Sequence, residues 1–249
     1  MSAKKPKAGR KQKRIVRYGK RLRRLINHTI AKYSLVGNPP VFEEGLFAWT
    51  GDLEANWKSV FAEIQSLMNH RENIPSLGEI SPDHERLAEE GTWQSYFLWG
   101  YGYKVEANCR HCPNTVKLIE KIPGLKTAMF SIHAPGVHIP RHRGVTKGMV
   151  ICHLGLIVPK ERDKCRMQVD DQICHWQTGK AFVFDDTYPH EVWNETNEDR
   201  VILLLQVERP LRGWGLILAR IFMTAIRWSP FVQDARRKLQ NKELLPGVR

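Results

Sequence analysis

The spacing of hydrophobic positions changes twice along the chain, and each stretch predicts a different kind of structure. From Tyr18 to Tyr33, Leu22, Leu25, Ile26 and Ile30 recur at helical spacing among basic residues. This predicts a short basic amphipathic helix, ended by Asn38-Pro39-Pro40. Leu53, Trp57, Val60, Phe61, Ile64, Leu67 and Met68 repeat at three and four residues behind Asp52, a candidate N-cap, and predict a helix over 53–70. Residues 71–92 are polar, contain Ser81-Pro82-Asp83 and read as a loop. Another short helix is expected over Asn114 to Glu120, stopped before Pro123.

After Gly124 the character turns to short β-rich runs: 128–132, 149–158, 165–169, 173–176, 181–184, 191–194 and 201–207, most of them separated by Gly, Pro, Asp or Asn. Six or seven strands with no helices between them predict a mainly β domain, an antiparallel sandwich or barrel rather than a βαβ sheet. From Arg212 the helical rhythm returns through Trp214, Leu218, Ile221, Phe222 and Ala225.

Charge divides the chain at similar places. The 249 residues carry a formal +13, which taken whole suggests nucleic acid or an anionic membrane. Residues 1–24 account for +12, residues 25–210 for −5 and residues 211–249 for +6. The expected organisation is therefore a flexible basic arm (1–24), a main domain (25–210, helical over 25–123 and β over 124–210) and a basic amphipathic helical tail (211–249). The acidic body argues against nucleic acid as the main partner. No run reaches the eighteen or so apolar residues of a bilayer span. Five cysteines without a secretory leader fit reduced thiols in the cytoplasm. Cys109-Arg110-His111-Cys112 has no second pair at zinc-site spacing, so ordinary thiols are expected there.

Six of the ten histidines fall between His133 and His190, on or beside the strands. His142 follows a Gly136…Pro140 turn and His190 lies 48 residues on, at the start of a later strand. In a jelly roll two such strands can bring their histidines to one point in the barrel mouth, and neutral imidazoles suit divalent iron. Arg200 opens the run Val201-Ile202-Leu203-Leu204-Leu205, apolar on both faces, so this strand is buried and its arginine needs an anion. That anion is either a bidentate carboxylate ligand or Asp185, Asp186 or Glu191 of the chain itself.

Several motifs stand in a fixed order: His142-Arg143-Gly144, His153-Leu154-Gly155-Leu156, Trp176-Gln177-Thr178-Gly179, Phe184-Asp185-Asp186-Thr187-Tyr188-Pro189-His190-Glu191-Val192-Trp193-Asn194, and Arg200. Together they resemble the aspartyl/asparaginyl β-hydroxylase family over roughly residues 90–210. The resemblance implies a double-stranded β-helix and oxygenation of an unactivated C–H with iron(II), 2-oxoglutarate and dioxygen. It implies iron ligands at His142 and His190, 2-oxoglutarate contacts at Ser131, His153 and Arg200, and Asp185 or Asp186 behind them orienting a ligand or water. Two positions depart from the pattern. Gly144 stands where most such oxygenases carry a carboxylate, as it does in the aspartyl hydroxylase itself. Ile151 stands where the family usually has an arginine, so either Arg141, Arg143 or Lys147 substitutes or cosubstrate affinity is reduced.

Residues 213–228 are rich in Trp, Phe, Leu and Arg, as an interfacial helix is, and the basic arm adds attraction to anionic lipid. Tyr96-Phe97-Leu98, Gly100-Tyr101-Gly102, His111-Cys112-Pro113-Asn114-Thr115 and Ile122-Pro123 are similar to the lipid-modifying branch of the family, which includes bacterial lipid A and ornithine-lipid hydroxylases. The expected activity is hydroxylation of an acyl chain on a membrane lipid, at the cytoplasmic face of the inner membrane. Hydroxylation of a protein Asp or Asn side chain is one alternative. The other is a non-catalytic binding module with a degenerate site.

Overall fold

The computed structural model of the chain describes residues 10–81 and 91–241. The first nine residues of the arm, the Pro82-Asp83 step and the last eight residues of the tail lie outside them. Helix α1 (Arg10–Lys32) leads into α2 (Trp49–Ala55), α3 (Trp57–Met68), a 3-10 turn (Arg71–Asn73) and α4 (Leu77–Ile80). Strands β1 (Trp93–Gly100) and β2 (Tyr103–Lys104) precede two short helices, α5 (Glu106–Arg110) and α6 (Pro113–Ile119). Eight further strands follow: β3 (Leu125–His133), β4 (Val137–His142), β5 (Met149–Ile157), β6 (Cys165–Val169), β7 (Gln172–Cys174), β8 (Ala181–Phe184), β9 (His190–Asn194) and β10 (Arg200–Glu208). Helices α7 (Gly213–Arg227) and α8 (Pro230–Asn241) close the described chain.

The strands form two antiparallel sheets, one ordered β2-β1-β3-β10-β5-β8 and the other β4-β9-β6-β7. Their packing face to face makes a jelly roll, as the strand pattern predicts. Alternation along β10 sorts its side chains. Val201, Leu203 and Leu205 join Val150 and Leu154 of β5 in a core covered by Leu53, Val60 and Ile64 of the helices. Ile202 points the other way, into a second core between the sheets with Ile139, Met167, Phe184 and Val192. The α3 layer is tied to α6 by the buried Glu63, whose carboxylate accepts Asn114 N at 2.6 Å and Thr115 N at 2.9 Å. These are N–H groups that a helix start leaves unsatisfied.

Four features differ from the sequence expectations. The helix over 53–70 is two helices broken at Asn56, whose side chain bonds back to Asp52 O at 2.9 Å, so Asp52 lies inside α2 instead of capping a helix. Helix α1 begins at Arg10 and runs through the boundary at residue 24, where the low apolar content suggested a flexible arm. The segment expected to be a loop over 71–92 holds the 3-10 turn and α4, and the unexpected strand β1 follows directly after it. Strand β4 was missed because it carries Pro140, which lacks a ladder donor. The strand sits at the edge of its sheet, and its pairing with β9 is interrupted between Ile139 and His142, where a proline is tolerated.

Helix α7 packs on α1, with Gly215 against Tyr33; a Cβ at Gly215 would meet Tyr33 Cβ at 2.3 Å. Asn27 of α1 spans the β4–β5 loop, donating to Val145 O and accepting from Lys147 N, both at 3.0 Å. Among the described residues no single helix is long and apolar enough to cross a membrane; α7 and α8 pass that test only as a pair bent by 59°.

Two of the sequence motifs owe their glycines to one contact. Gly155 and Gly179 bring β5 against the turn before β8, with Gly179 N donating to Gly155 O at 2.8 Å. A Cβ on Gly155 would stand 2.3 Å from Gln177 O, a backbone atom that cannot swing away. Gly155→Ala is therefore expected to lower stability by about 1–3 kcal/mol in chemical denaturation. A midpoint equal to that of the parent chain would show that the two motifs are not held by this contact.

Candidate active site

Strands β4 and β9 pair His142 directly with His190, and their rings lie with centroids 4.1 Å apart. Each ring is fixed by the same device. His142 donates from Nδ1 to Pro140 O at 2.8 Å, and His190 donates from Nδ1 to Tyr188 O at 3.0 Å. A proton on Nδ1 leaves the lone pair on Nε2, the state in which imidazole binds a metal. Burial, then the neighbouring His142, pushes His190 down to about 4, so it is neutral at physiological pH.

One cavity of about 160 Å³ is lined by His142, His190, His153, Ser131, Arg200 and Asp186. It therefore gathers every site residue expected from sequence except Asp185. His153 is buried among Trp176, Phe182 and Phe184, and its Nδ1 accepts Trp176 Nε1 at 3.3 Å, which puts its own proton on Nε2. Burial, then Arg200, holds it well below the ordinary imidazole range. Ser131 Oγ accepts Trp93 Nε1 at 3.0 Å and keeps its O–H for donation.

Arg200 is 2% exposed and stacks on Trp176, with the guanidinium carbon 4.6 Å from the ring. Its Nε and Nη1 have no hydrogen-bond partner among the described residues. The carboxylates named as internal partners are engaged elsewhere or not paired with it: Asp185 binds Lys147 and Arg209, and Glu191 binds His138. Burial lowers Arg200 to about 10, still cationic at neutral pH. A buried cation with unsatisfied donors beside a cavity is a site for an anion supplied from outside.

His133 is a cavity residue that the sequence reading did not single out. It pairs with Arg200 across β3 and β10, is buried, and has both ring nitrogens unpartnered. Burial, then Arg200, holds it neutral. The signal was present in the alternation: Thr127, Met129, Ser131 and His133 share one face of β3, and all four line the cavity.

Asp185 does not line the cavity. Its carboxylate is fully buried and accepts Lys147 Nζ and Arg209 Nη2, both at 2.5 Å, with Thr187 N at 3.0 Å and Thr187 Oγ1 at 2.6 Å. Burial alone would raise its pKa, but Arg209 and Lys147 outweigh it and hold the group below the ordinary carboxylate range. Asp186, next along, does face the cavity, over Gly144: a Cβ there would lie 2.1 Å from Asp186 Cγ. Burial, then the charge of Asp185, pushes Asp186 up to about 7. Of the three residues proposed to cover for Ile151, Lys147 is bound to Asp185, Arg143 bonds Thr187 O on the surface at 3.2 Å, and none lines the cavity. Cys109 and Cys112 are buried thiols, with burial pushing Cys109 up to about 12.

The jelly roll thus gathers paired imidazoles, a neutral buried histidine and an unmatched arginine in one cavity. Residues 54–210 match the family described as aspartyl/asparaginyl β-hydroxylase, and the chain belongs to that family of hydroxylases. An ornithine lipid ester-linked acyl 2-hydroxylase of Rhizobium tropici is 41% identical over 203 residues, covering 82% of this chain and 72% of that protein. The human aspartyl/asparaginyl beta-hydroxylase is 34% identical over 173 residues, 68% of this chain but only 22% of that longer protein. Human aspartate beta-hydroxylase domain-containing protein 2 is 27% identical over 169 residues, covering 64% of this chain and 44% of that protein.

The Asp185 ion cluster gives a stability prediction with a defined sign. Asp185→Asn keeps the shape and leaves Arg209 buried without its anion, which is expected to cost roughly 3–5 kcal/mol at neutral pH. Because the folded-state pKa is depressed, this stabilisation is complete above the unfolded carboxylate value of about 3.9 and is lost as pH falls through the lower folded value. Urea titrations from pH 7 downward should show the two proteins converging in acid. Equal stability at pH 7 would refute the assignment.

Proposed function

We propose that the chain is an iron(II)- and 2-oxoglutarate-dependent oxygenase that hydroxylates an unactivated C–H bond on the acyl chain of a membrane lipid. The observation that carries the cosubstrate reading is Arg200, a buried guanidinium with unsatisfied donors and no carboxylate of its own among the described residues. A dicarboxylate such as 2-oxoglutarate supplies what it lacks, in the bidentate geometry a guanidinium prefers. Ser131 supports the same carboxylate with its free O–H, and His133 stands beside it as a neutral polar partner.

The donor set also fits the metal. His190 is neutral, the Nδ1 of both His142 and His190 is engaged by a backbone carbonyl, and both would hold iron through Nε2. Asp186 fills the room left by Gly144 and would orient a water or ligand there, so Gly144 does not mark a degenerate site. When bound, iron with 2-oxoglutarate and dioxygen supplies the oxidising power to place a hydroxyl on carbon, with succinate and carbon dioxide as co-products. The residues around them position and shield. His153 offers its Nε2–H to the cosubstrate, while Phe182, Phe184 and Trp176 keep water from the chamber.

The lipid is supported by the acyl hydroxylase relative and by the surface. Trp214 and Ile221 of α7, Trp228 just after it, and Leu22 and Leu25 of α1 are all more than half exposed, with the two helices packed against each other amid the basic residues of α1. Aromatic and aliphatic side chains among Arg and Lys form a face that enters an anionic lipid interface. On this reading the protein works as a peripheral enzyme on the cytoplasmic face of the inner membrane.

Succinate formation from 2-oxoglutarate with iron(II) and lipid is expected for the parent chain and not for the His142→Ala/His190→Ala double variant. Arg200→Met should weaken 2-oxoglutarate binding by about 100-fold. Lipid extracts from cells with the gene should contain a species about 16 Da heavier, as one added oxygen requires. Unchanged lipids alongside a hydroxylated protein would move the substrate to the peptide class. Separately, Trp214→Ser with Trp228→Ser should reduce co-sedimentation with anionic vesicles while leaving 2-oxoglutarate affinity intact. Undiminished sedimentation would remove the α7 face from the membrane contact.

A further inference from the structure

The cavity does not end at the candidate metal site. Strand register lays Phe97 of β1, Met129 of β3, Leu204 of β10 and His153 of β5 in one row across the large sheet. All four line the cavity. From His153 to Phe97 the row crosses three strand spacings, roughly 14 Å. Leu77 and Ile80 of α4 cover it at one side, and Val232, Ala235 and Leu239 of α8 cover it from above. The chamber at the histidines therefore continues sideways as a gallery with an aliphatic and aromatic floor and a roof in which Val232, Ala235 and Leu239 are accompanied by Arg236 and Gln240.

Two physical facts select the occupant. Protein interiors pack to the density of organic crystals, and an unfilled apolar space forfeits the contacts its lining would make, so an open gallery joined to a reactive centre calls for a guest. Leu204, Met129 and Phe97 along the row and Val232, Ala235 and Leu239 above it offer no hydrogen-bonding side chain. Of the polar side chains that also line the cavity, Thr127 and Gln206 bond each other and Arg236 lies over the Tyr103 ring. A peptide lying along the row would therefore leave backbone N–H and C=O groups unpaired. An alkyl chain carries no such groups.

We infer that the gallery between the β1–β3–β10 sheet face and α8 is the binding channel for the alkyl tail of the substrate, with the C-terminal helix as its roof. The inference rests on the lipid-hydroxylase reading and deepens it. It assigns to α8 a function inside the protein, where the amphipathic sequence of the tail suggests only a surface role. Helix α8 also lies outside residues 54–210, the part that matches the family. Tail selectivity is thus set by a segment outside the part that matches the family.

The test uses the full-length chain in a Trp214→Phe/Trp228→Phe background, which removes the two most exposed indoles, and 9,10-dibromostearate as the probe. Bromine quenches nearby indoles, and Trp93 lines the cavity. Saturable quenching is expected, weakened about tenfold or more by Ala235→Phe and by Val232→Phe, each of which fills the roof. Calorimetric 2-oxoglutarate binding in the same variants should stay within about twofold of the parent, which also shows that they fold. No saturable quenching, or quenching unchanged in both variants that bind 2-oxoglutarate normally, overturns the channel. Quenching lost in the variants while the parent fails to bind 2-oxoglutarate leaves the channel standing and removes the cosubstrate reading instead.

Discussion

The buried ion cluster of Asp185 with Arg209 and Lys147 is the interaction on which the site depends most. It stands at the start of the β8–β9 turn, whose next residue is Asp186 and whose end is His190. Arg209, also fully buried, reaches from the end of β10 to Gly37 O at 3.0 Å. Asp185 N donates to Pro40 O at 2.9 Å, and Tyr188 Oη donates to Asn38 O at 2.7 Å. The turn, the last strand and the segment after α1 are thereby locked together. A buried ion pair gives modest net stability because desolvation opposes the attraction. Its value here is geometric: with every lone pair of Asp185 aimed at a fixed donor, the turn has one conformation, and so do the imidazole and the carboxylate it presents.

The inner face of the large sheet is graded by rows. Arg200 and His133 form a polar row, Ile202 and Ser131 the next, then Leu204 with Met129, then Gln206 with Thr127, whose side chains bond at 2.8 Å. One β10–β3 pairing thus places a buried cation and an apolar stretch on the same surface. Period-two alternation makes this possible without affecting the opposite face, where Val201, Leu203 and Leu205 pack under the helices. The chemistry of the chamber and the stability of the domain are written on alternate residues of the same strand.

That separation also explains what was legible in the sequence. Strands β3, β5, β6, β7, β8, β9 and β10 are readable because their residues are β-rich runs, most of them bounded by turn residues. Strand β4 is not, since Pro140 contradicts a strand unless its edge position is known, and edge position is a property of the whole sheet. His142, His190 and Arg200 stood out through motif order, whereas His133 carries no motif and becomes visible only when its partner across the ladder is Arg200. The pairing of Asp185 with Arg209 joins residues 24 apart across three elements, and no local pattern encodes it. The cavity roof was hidden for the same reason: the apolar positions of α8 identify an amphipathic helix but not the surface it covers.

Gly144 and Asp186 show how far the turn geometry reaches. A carboxylate two residues after the first histidine would have to grow from the backbone at 144, yet that volume already holds the carboxylate of Asp186, and Gly144 N donates to Asp186 O at 2.7 Å. The two solutions exclude each other. Any side chain at 144 displaces Asp186, and a second carboxylate there would leave two like charges in one space, of which only one could ionise freely. The glycine is therefore a requirement of the turn that Asp185 anchors. Asp186, the carboxylate that fills this space, comes from the β8–β9 turn, so its placement and that of His190 are set by the same ion cluster.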